Sequence, residues 1–469
     1  MDGQGGPARI ENVWVEGDTI TSLDAEPPPG IEIIDATGLT LAPGFIDTHS
    51  HGDADLFEHR DALAAVSQGI TTIVGGQDGG SPYPLAEYFA QLEASPAAVN
   101  FAAYAGHGRL RREVMGDDFR RPATEDEIEA MRALLAEEMK AGALGLGTGL
   151  EYDPGIDSET SEVIALAREA ASWGGRYVSH IRSEDRGFWE AIDEVVTIGR
   201  EAKIPVHISH IKLAMASLWG QTDRLIAALE QARADGIDIT ADIYPYPYWK
   251  STLTVMFPER NFADAAAARF AVTEIATPEG MLIPIYRPNP SYAGKTLAEI
   301  SELRGTDPAQ TLMDLIRDAE AMKATGEQGV ESVIATSMHE ADIAQLMAWR
   351  HTNVATDGAL AGPHPRGYGT YPRVLGRYVR EKDALSLPEA VLKATSLAAE
   401  HMGFDDRGRI RPGLKADLVL FDPDTVIDRA TPEEPHAVSV GIAKVWVNGV
   451  LVYSGGQTTN ERPGRVVRR

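Results

Sequence analysis

Residues 44–53 read GFIDTHSHGD, an apolar run that ends at once in two histidines, His49 and His51. Short apolar runs, most of them closed by a polar side chain, recur as GITTIVGG, VNFAAYAG, GALGLGTGL, GRYVSHI, IPVHISH, GIDITADIY, ESVIATSM and TNVATDG. Stretches with helical periodicity lie between these runs, among them Glu125–Ala141, Glu159–Trp173 and Leu225–Ala234. Repeated βα units imply a parallel sheet, and their number favours an α/β fold of the (β/α)8 TIM-like barrel type.

Both ends of the chain differ from this middle part. Residues 8–43 contain short strand-like runs on either side of PPPG, with a second run reading IEIIDATGLTLAPG. Residues 405–469 show the same pattern of short strand-like runs separated by turns, and VNGV at 447–450 is typical of a tight hairpin. We therefore predict a small composite β-sandwich-like domain built from residues 1–43 and 401–469, with the barrel over residues 44–400.

Composition limits the kinds of partner. The chain of 469 residues has a formal net charge of −27, which repels phosphate backbones and anionic lipid, so nucleic-acid and membrane partners are not expected. It has no cysteine, which excludes disulfides, thiolate ligands and a thiol nucleophile. The first 14 residues have no signal-peptide pattern, so we expect a cytoplasmic protein. The sequence leaves open whether copies of the chain form a homo-oligomer.

Polar side chains stand at or just beyond the ends of the apolar runs. They are His49, His51, Asp78, Glu151, His180, His210, Tyr244 and Asp357. In a barrel of parallel strands, the carboxyl ends of the strands form the active-site face. Side chains from six or more strands are therefore expected to meet at one place.

The residue types at this place predict a metal centre. His49 and His51 are two positions apart and can face one ion if they lie on a strand. Imidazole nitrogen suits zinc and related ions, and carboxylates balance the charge. Because a catalytic metal needs ligands from several elements and an open position for water, this set predicts a catalytic divalent metal ion.

The sequence resembles the D-aminoacylase (N-acyl-D-amino-acid deacylase) family of the amidohydrolase superfamily. The matching stretches are APGFIDTHSHGD, GHGRLR, GLEYDPG, SHIRSE, HISHIK, DIYPY, ATDG, HPRGYGTYPRVLG, GRIRPGLKADLVLFDP and RPGRVVRR, in the family's order over nearly the whole chain. The resemblance implies a zinc-dependent barrel with a composite β-domain. It also implies hydrolysis of an amide beside a carboxylate, in N-acyl-D-amino acids or in dipeptides with a C-terminal D-residue.

The resemblance also implies roles for particular residues. His180 and His210 match the histidines of a tightly held ion, whereas His49, His51 and Asp357 match the ligands of a second, weaker position. Lys212, Tyr244 and Arg366 match the residues that bind the substrate α-carboxylate, a role that suits the fork of an arginine and the point charge of a lysine.

Two departures from the family pattern concern the metal. The family has a metal-binding cysteine where this chain has Asp78, and this chain has Glu151 where better-known members have an apolar residue. We predict that Glu151 replaces the thiolate as the ligand shared by two ions, with Asp78 as the alternative. The segment after DIYPY is also shorter than is common in the family, which predicts a smaller pocket roof.

The predicted mechanism follows from these parts. A metal ion lowers the pKa of bound water to about 7, and Asp357 would accept its proton and pass it to the leaving amine. The alternatives are a cyclic amidase of the dihydroorotase or hydantoinase type and an inactive barrel used for binding. Glu151 stands where a cyclic amidase typically has a carboxylated lysine, which counts against the first alternative.

Overall fold

The computed structural model describes residues 1–24, 26 and 30–469. Its strands are β1 (Val13–Glu16), β2 (Thr19–Leu23), β3 (Thr40–Pro43), β4 (Phe45–Asp47), β5 (Ile70–Gly75), β6 (Asn100–Ala103), β7 (Ala105–Gly106), β8 (Gly145–Gly149), β9 (Arg176–His180), β10 (Val206–Ile208), β11 (Ile239–Ile243), β12 (Tyr248–Ser251), β13 (Met281–Tyr286), β14 (Lys295–Thr296), β15 (Glu331–Thr336), β16 (Thr352–Val354), β17 (Leu418–Phe421), β18 (Ile442–Val447), β19 (Val450–Ser454) and β20 (Gln457–Thr458).

Its α-helices are α1 (Leu63–Val66), α2 (Leu85–Ala94), α3 (His107–Met115), α4 (Glu125–Ala141), α5 (Thr160–Ser172), α6 (Phe188–Ala202), α7 (Thr222–Ala234), α8 (Ala265–Phe270), α9 (Leu297–Arg304), α10 (Pro308–Lys323), α11 (Glu340–Ala348), α12 (Arg366–Arg373), α13 (Leu387–Ala394) and α14 (Ser396–Met402). The helix predicted over Glu125–Ala141 is confirmed as α4, which begins with a capping box between Thr124 and Glu127. In the described part of the chain, no helix is long and apolar enough to cross a bilayer.

Parallel strands form the predicted barrel. β4, β5 and β6 pair in that order, and β7, β8, β9, β10, β11 and β16 continue the parallel pairing. Tyr104 alone separates β6 from β7, so the two pieces together occupy one place in the barrel. A parallel bridge between Ser50 and Gly358 joins the end of the last strand to the end of the first. The barrel therefore closes at the segment that carries His49 and His51.

One of the expected barrel strands lies elsewhere. The run ESVIATSM forms β15, which is the second strand of an antiparallel sheet in the order β12-β15-β13-β14. Its place in the barrel is taken by β4, from GFIDTH. β15 has a neighbour on each side and is almost wholly buried, and a central antiparallel strand of this kind has the same continuous apolar pattern as a barrel strand. The pattern alone could not separate the two.

A second sheet joins the two ends of the chain. Its order is β20-β19-β18-β17-β3, and β3 runs antiparallel to β17. The hairpin expected at VNGV is present, because Asn448 and Gly449 have φ values of 49° and 78° between β18 and β19. The domain boundaries at residues 43/44 and 400/401 stay predictions.

The segment before β3 differs from the expectation. Residues 31–35 form no strand in the structure, and Ile33 is 71% exposed. An extended run becomes a strand only when a neighbour accepts its hydrogen bonds, and here the pairing begins at Thr40. The break expected at PPPG falls on residues 27–29, which lie outside the described residues.

Candidate active site

His49 and His51 meet Asp357 where the barrel closes. The two histidines follow β4, and their ring centroids are 5.4 Å apart. Asp357 Oδ1 lies 3.1 Å from His51 Nε2 and 3.6 Å from His49 Nε2. The Asp357 backbone N–H donates to the carbonyl of His49 over 2.8 Å. The same backbone contacts that close the barrel thus hold these three side chains together.

His180 and His210 form a second pair. His180 ends β9 and His210 follows β10, and 3.0 Å separates His180 Nδ1 from His210 Nε2. The His210 ring lies 4.8 Å from that of His49, measured between centroids. The two pairs therefore face a common space.

Asp78 lies between the two pairs. One of its carboxylate oxygens is 3.4 Å from His49 Nε2 and 3.5 Å from His210 Nε2, and the other is 3.4 Å from His51 Nε2. Its backbone has a φ of 53°, in the left-handed region that aspartate tolerates better than most residues. Among the described residues, Asp78 is the carboxylate that groups with both pairs as a possible metal ligand.

Glu151 takes a different position. Its Oε2 lies 2.8 Å from His180 Nε2, the ring nitrogen that does not face His210. It groups with His180 and Glu184 and not with His49 and His51. A carboxylate on the outer nitrogen of a ligating histidine fixes the tautomer and orientation of the ring. The geometry therefore favours Asp78, the alternative, over Glu151 as the shared ligand, and the choice between them stays a prediction.

The three residues predicted to bind a carboxylate are adjacent. The guanidinium carbon of Arg366 is 4.7 Å from the centroid of the Tyr244 ring, and Lys212 Nζ is 5.7 Å from it. The hydroxyl of Tyr244 and Nε of Arg366 are buried and have no hydrogen-bond partner among the described residues. Because buried donors are normally satisfied, these two are available to a bound anion.

A cavity of about 480 Å³, counting its open mouth, connects His180 and His210 with these donors. Its wall includes Glu151, His180, His210 and Asp357 from the barrel, with Lys212, Tyr244 and Arg366 beside them. Trp249, Lys250 and Ser251 of β12 form another part of the wall. The cavity therefore joins the barrel to the antiparallel sheet inserted between β11 and β16.

The electrostatics of the cluster favour a positive charge. Burial alone would raise the pKa of Asp357, but Arg366 and His210 hold it well below its usual range. Burial opposes protonation of His51, yet its hydrogen bonds to Asp357 and Asp78 raise the pKa of this histidine to about 10. The ionised carboxylates thus stabilise positive charge in the cluster, such as the imidazolium of His51.

The same residues fit a divalent metal ion. Both ring nitrogens of His49 and Oδ1 of Asp78 are buried without a hydrogen-bond partner among the described residues. Such unpaired buried polar atoms are costly unless a ligand occupies them. A set of imidazole nitrogens and carboxylate oxygens is the donor set that zinc and related ions take.

Two carboxylates of the site were not singled out from the sequence. Glu184 Oε1 lies 2.5 Å from Lys212 Nζ and 3.0 Å from His210 Nδ1. Asp242 accepts a 2.6 Å hydrogen bond from the backbone N–H of His210 and lies 3.0 Å from His207 Nε2. The sequence carries a sign of each one. Glu184 is an acid four positions after His180, and Asp242 is an acid inside the apolar run of β11.

A family model described as "Amidohydrolase family" matches residues 32–281 and 279–453. This chain belongs to the amidohydrolase family. The amidohydrolase is 37% identical to N-acyl-D-glutamate deacylase of Alcaligenes xylosoxydans xylosoxydans, over 100% of this chain and 95% of that protein. It therefore falls in the D-aminoacylase branch of the family, as its motifs predicted.

Two solved structures are similar along the whole amidohydrolase chain. A crystal structure of D-aminoacylase superposes with a TM-score of 0.88 at 35% identity, covering 100% of this chain and 98% of that one. The second is the N-acyl-D-glutamate deacylase of Bordetella bronchiseptica, complexed with zinc and a phosphonate inhibitor that mimics the tetrahedral intermediate. It superposes with a TM-score of 0.87 at 35% identity, covering 100% of this chain and 97% of that one. The predicted fold, a barrel with an additional β-domain, is confirmed.

Proposed function

We propose that this amidohydrolase uses one or two zinc ions to hydrolyse the amide bond of N-acyl-D-amino acids or of dipeptides with a C-terminal D-residue. The observation that carries the proposal is the presence in one cavity of His180, His210 and Asp357, from the histidine–aspartate cluster, together with the unpaired donors of Tyr244 and Arg366. The D configuration is supported by the relatives, which are named for N-acyl-D-amino acids.

Two ligand groups share Asp78. One comprises His180 and His210 with Asp78, and the other comprises His49, His51 and Asp357 with Asp78. Zinc is supported by the nitrogen and oxygen donors and by the zinc in a similar structure. When bound, the metal would polarise the scissile carbonyl and lower the pKa of the attacking water.

Asp357 is the proposed proton carrier. It is ionised because Arg366 holds its pKa low, so it can accept the proton of the attacking water. The same oxygen can then give this proton to the nitrogen that leaves. Arg366 Nη1 lies 2.6 Å from Asp357 Oδ2 and directs Oδ1 towards His49 and His51.

The substrate α-carboxylate is proposed to bind at Arg366 Nε and the Tyr244 hydroxyl. Both donors are buried, belong to residues that line the cavity and have no hydrogen-bond partner among the described residues. Lys212 adds positive charge from beside Glu184. Fixing the carboxylate on the far side of the scissile bond orients the amide towards the cluster.

The test is metal analysis of the purified chain together with hydrolysis of matched N-acetyl-D- and N-acetyl-L-amino acids. We expect one to two zinc ions per chain, and turnover of D-substrates that is lost when the zinc is removed by a chelator and restored when it is added back. Preference for L-substrates throughout the series would overturn the assignment. The cytoplasmic location expected from the sequence stays a prediction.

A further inference from the structure

Three cationic side chains line the cavity, and two of them already have anionic partners. Lys212 Nζ lies 2.5 Å from Glu184, and Arg366 Nη1 lies 2.6 Å from Asp357. The third, Lys250, is an exposed residue of the cavity wall, and its ammonium has neither a hydrogen bond nor an ion pair with any residue that the structure describes. Lys250 is thus a cation of the cavity that is free to pair with a ligand.

Lys250 reaches the cavity from outside the barrel. It lies on β12, the strand of the inserted antiparallel sheet that forms part of the wall. Burial lowers its pKa, and the nearby guanidinium of Arg366 lowers it further, whereas Asp357 and Glu331 act in the opposite direction. Since the two cations repel each other, an anion bound near Lys250 would stabilise both.

Apolar side chains line the same cavity as this cation. They are Trp249, Val255, Met256 and Ile275. A wall of this kind suits methylene groups, whereas the ammonium suits a charged end. The α-carboxylate has its own buried donors in Tyr244 and Arg366, so Lys250 is available to a second anionic group.

We propose that Lys250 binds a carboxylate on the substrate's side chain, so that the enzyme prefers N-acyl-D-amino acids with an acidic side chain to their neutral isosteres. The inference rests on the proposed function, because it assigns the side-chain part of the same substrate. Lys250 acts in it as a specificity-determining residue and takes no part in proton transfer.

The test compares N-acetyl-D-glutamate with N-acetyl-D-glutamine, which has nearly the same shape and no side-chain charge. Lys250→Met removes the ammonium and keeps an unbranched side chain. We expect kcat/KM for the glutamate substrate to fall about 10- to 100-fold, the usual range for a hydrogen bond to a charged group, and that for the glutamine substrate to change less than threefold. Lys140→Met, at an exposed lysine of α4, is the matched control and should alter neither.

A second substitution tests the sign of the charge. Lys250→Glu should depress hydrolysis of N-acetyl-D-glutamate further and raise hydrolysis of N-acetyl-D-lysine above the wild-type level. Thermal unfolding of each variant, compared with the wild type, shows whether the protein remains folded, and circular dichroism at the assay temperature confirms it.

The remaining outcomes are distinct. An equal loss on the glutamate and glutamine substrates would place Lys250 at the α-carboxylate and overturn the inference. No change on either substrate would overturn it as well. If the wild-type enzyme hydrolyses no N-acyl-D-amino acid of either kind, the proposed function itself fails, and the inference fails with it.

Discussion

Arg366 and Asp357 form a buried ion pair at the base of the cavity, with 2.6 Å between Nη1 and Oδ2. Each residue is 5% exposed, so solvent and salt screen the pair only weakly. One partner is assigned to substrate binding and the other to proton transfer. A substitution at Arg366 is therefore expected to alter both KM and kcat, which makes Asp357 and Tyr244 the better places to separate the two roles.

Asp357→Asn should lower kcat by about 10²- to 10⁴-fold and change KM only a few-fold. The amide keeps the shape of the side chain but cannot carry the proton. Steady-state kinetics with an N-acetyl-D-amino acid measure both constants. Asp405→Asn, at an exposed carboxylate away from the cluster, is the control. Near-normal turnover of the Asp357 variant would refute its assignment as the base.

Asp78→Asn and Glu151→Gln should differ in metal content. Because Asp78 contacts both histidine pairs, its loss should leave less than one ion per chain. Glu151 contacts His180 on the outer nitrogen, so its loss should weaken binding about 10- to 100-fold without abolishing it. Elemental analysis of each dialysed variant measures the number of metal ions bound per chain. The reverse result would restore Glu151 as the shared ligand, as the sequence first suggested.

Tyr244→Phe should weaken substrate binding without weakening the fold. The hydroxyl is buried without a partner among the described residues, so its removal relieves a desolvation cost of about 1–3 kcal/mol. We expect KM to rise about 10-fold, because a hydrogen bond to the α-carboxylate is lost, while the melting temperature stays the same or rises. An unchanged KM with a lower melting temperature would show a structural role instead.

Glu138→Gln should stabilise the protein at alkaline pH. Burial raises the pKa of Glu138 to about 6, above the ordinary value of 4.5, although the backbone N–H of Leu85 donates to it. The folded state therefore binds more protons than the unfolded state between these values, and the stability from this residue is lost as pH rises through about 6.

The corresponding measurement is thermal unfolding of wild type and variant at several pH values. The melting temperatures should be similar near pH 4 and separate above about pH 6, with Glu138→Gln the higher. Glu137→Gln, one position away and exposed on α4, should show no such separation. A Glu138 variant that is less stable than wild type at pH 8 would contradict the sign of the argument.

The parts of the site that follow barrel strands could be predicted from the sequence. His49, His180 and His210 each follow an apolar run, and the carboxyl ends of parallel strands meet on one face whatever lies between them. The choice between Asp78 and Glu151 could not be read in this way. It depends on which ring nitrogen of His180 faces inwards, and side-chain orientation of that kind has no linear signal.

The inserted sheet was also missed, and with it the role of Lys250. β15 has the composition of a barrel strand, and the residues of β12 and β13 with which it pairs are up to 88 positions away in the sequence. Pairing over such distances is decided by packing and not by local pattern. The wall of the cavity that is proposed to contact the substrate side chain, formed by β12, was therefore the part of the site that could not be predicted from the sequence.

The pairing of β3 with β17 has a consequence for synthesis of the chain. Thr40–Pro43 leaves the ribosome roughly 375 residues before Leu418 of its partner strand. At a synthesis rate of about 5–20 residues per second, β3 remains without its hydrogen-bond partner for roughly 20–75 s. The barrel can form first, since β16 ends at Val354. During that interval the nascent chain carries an unpaired strand edge at Thr40–Pro43, which is open to pairing with other chains.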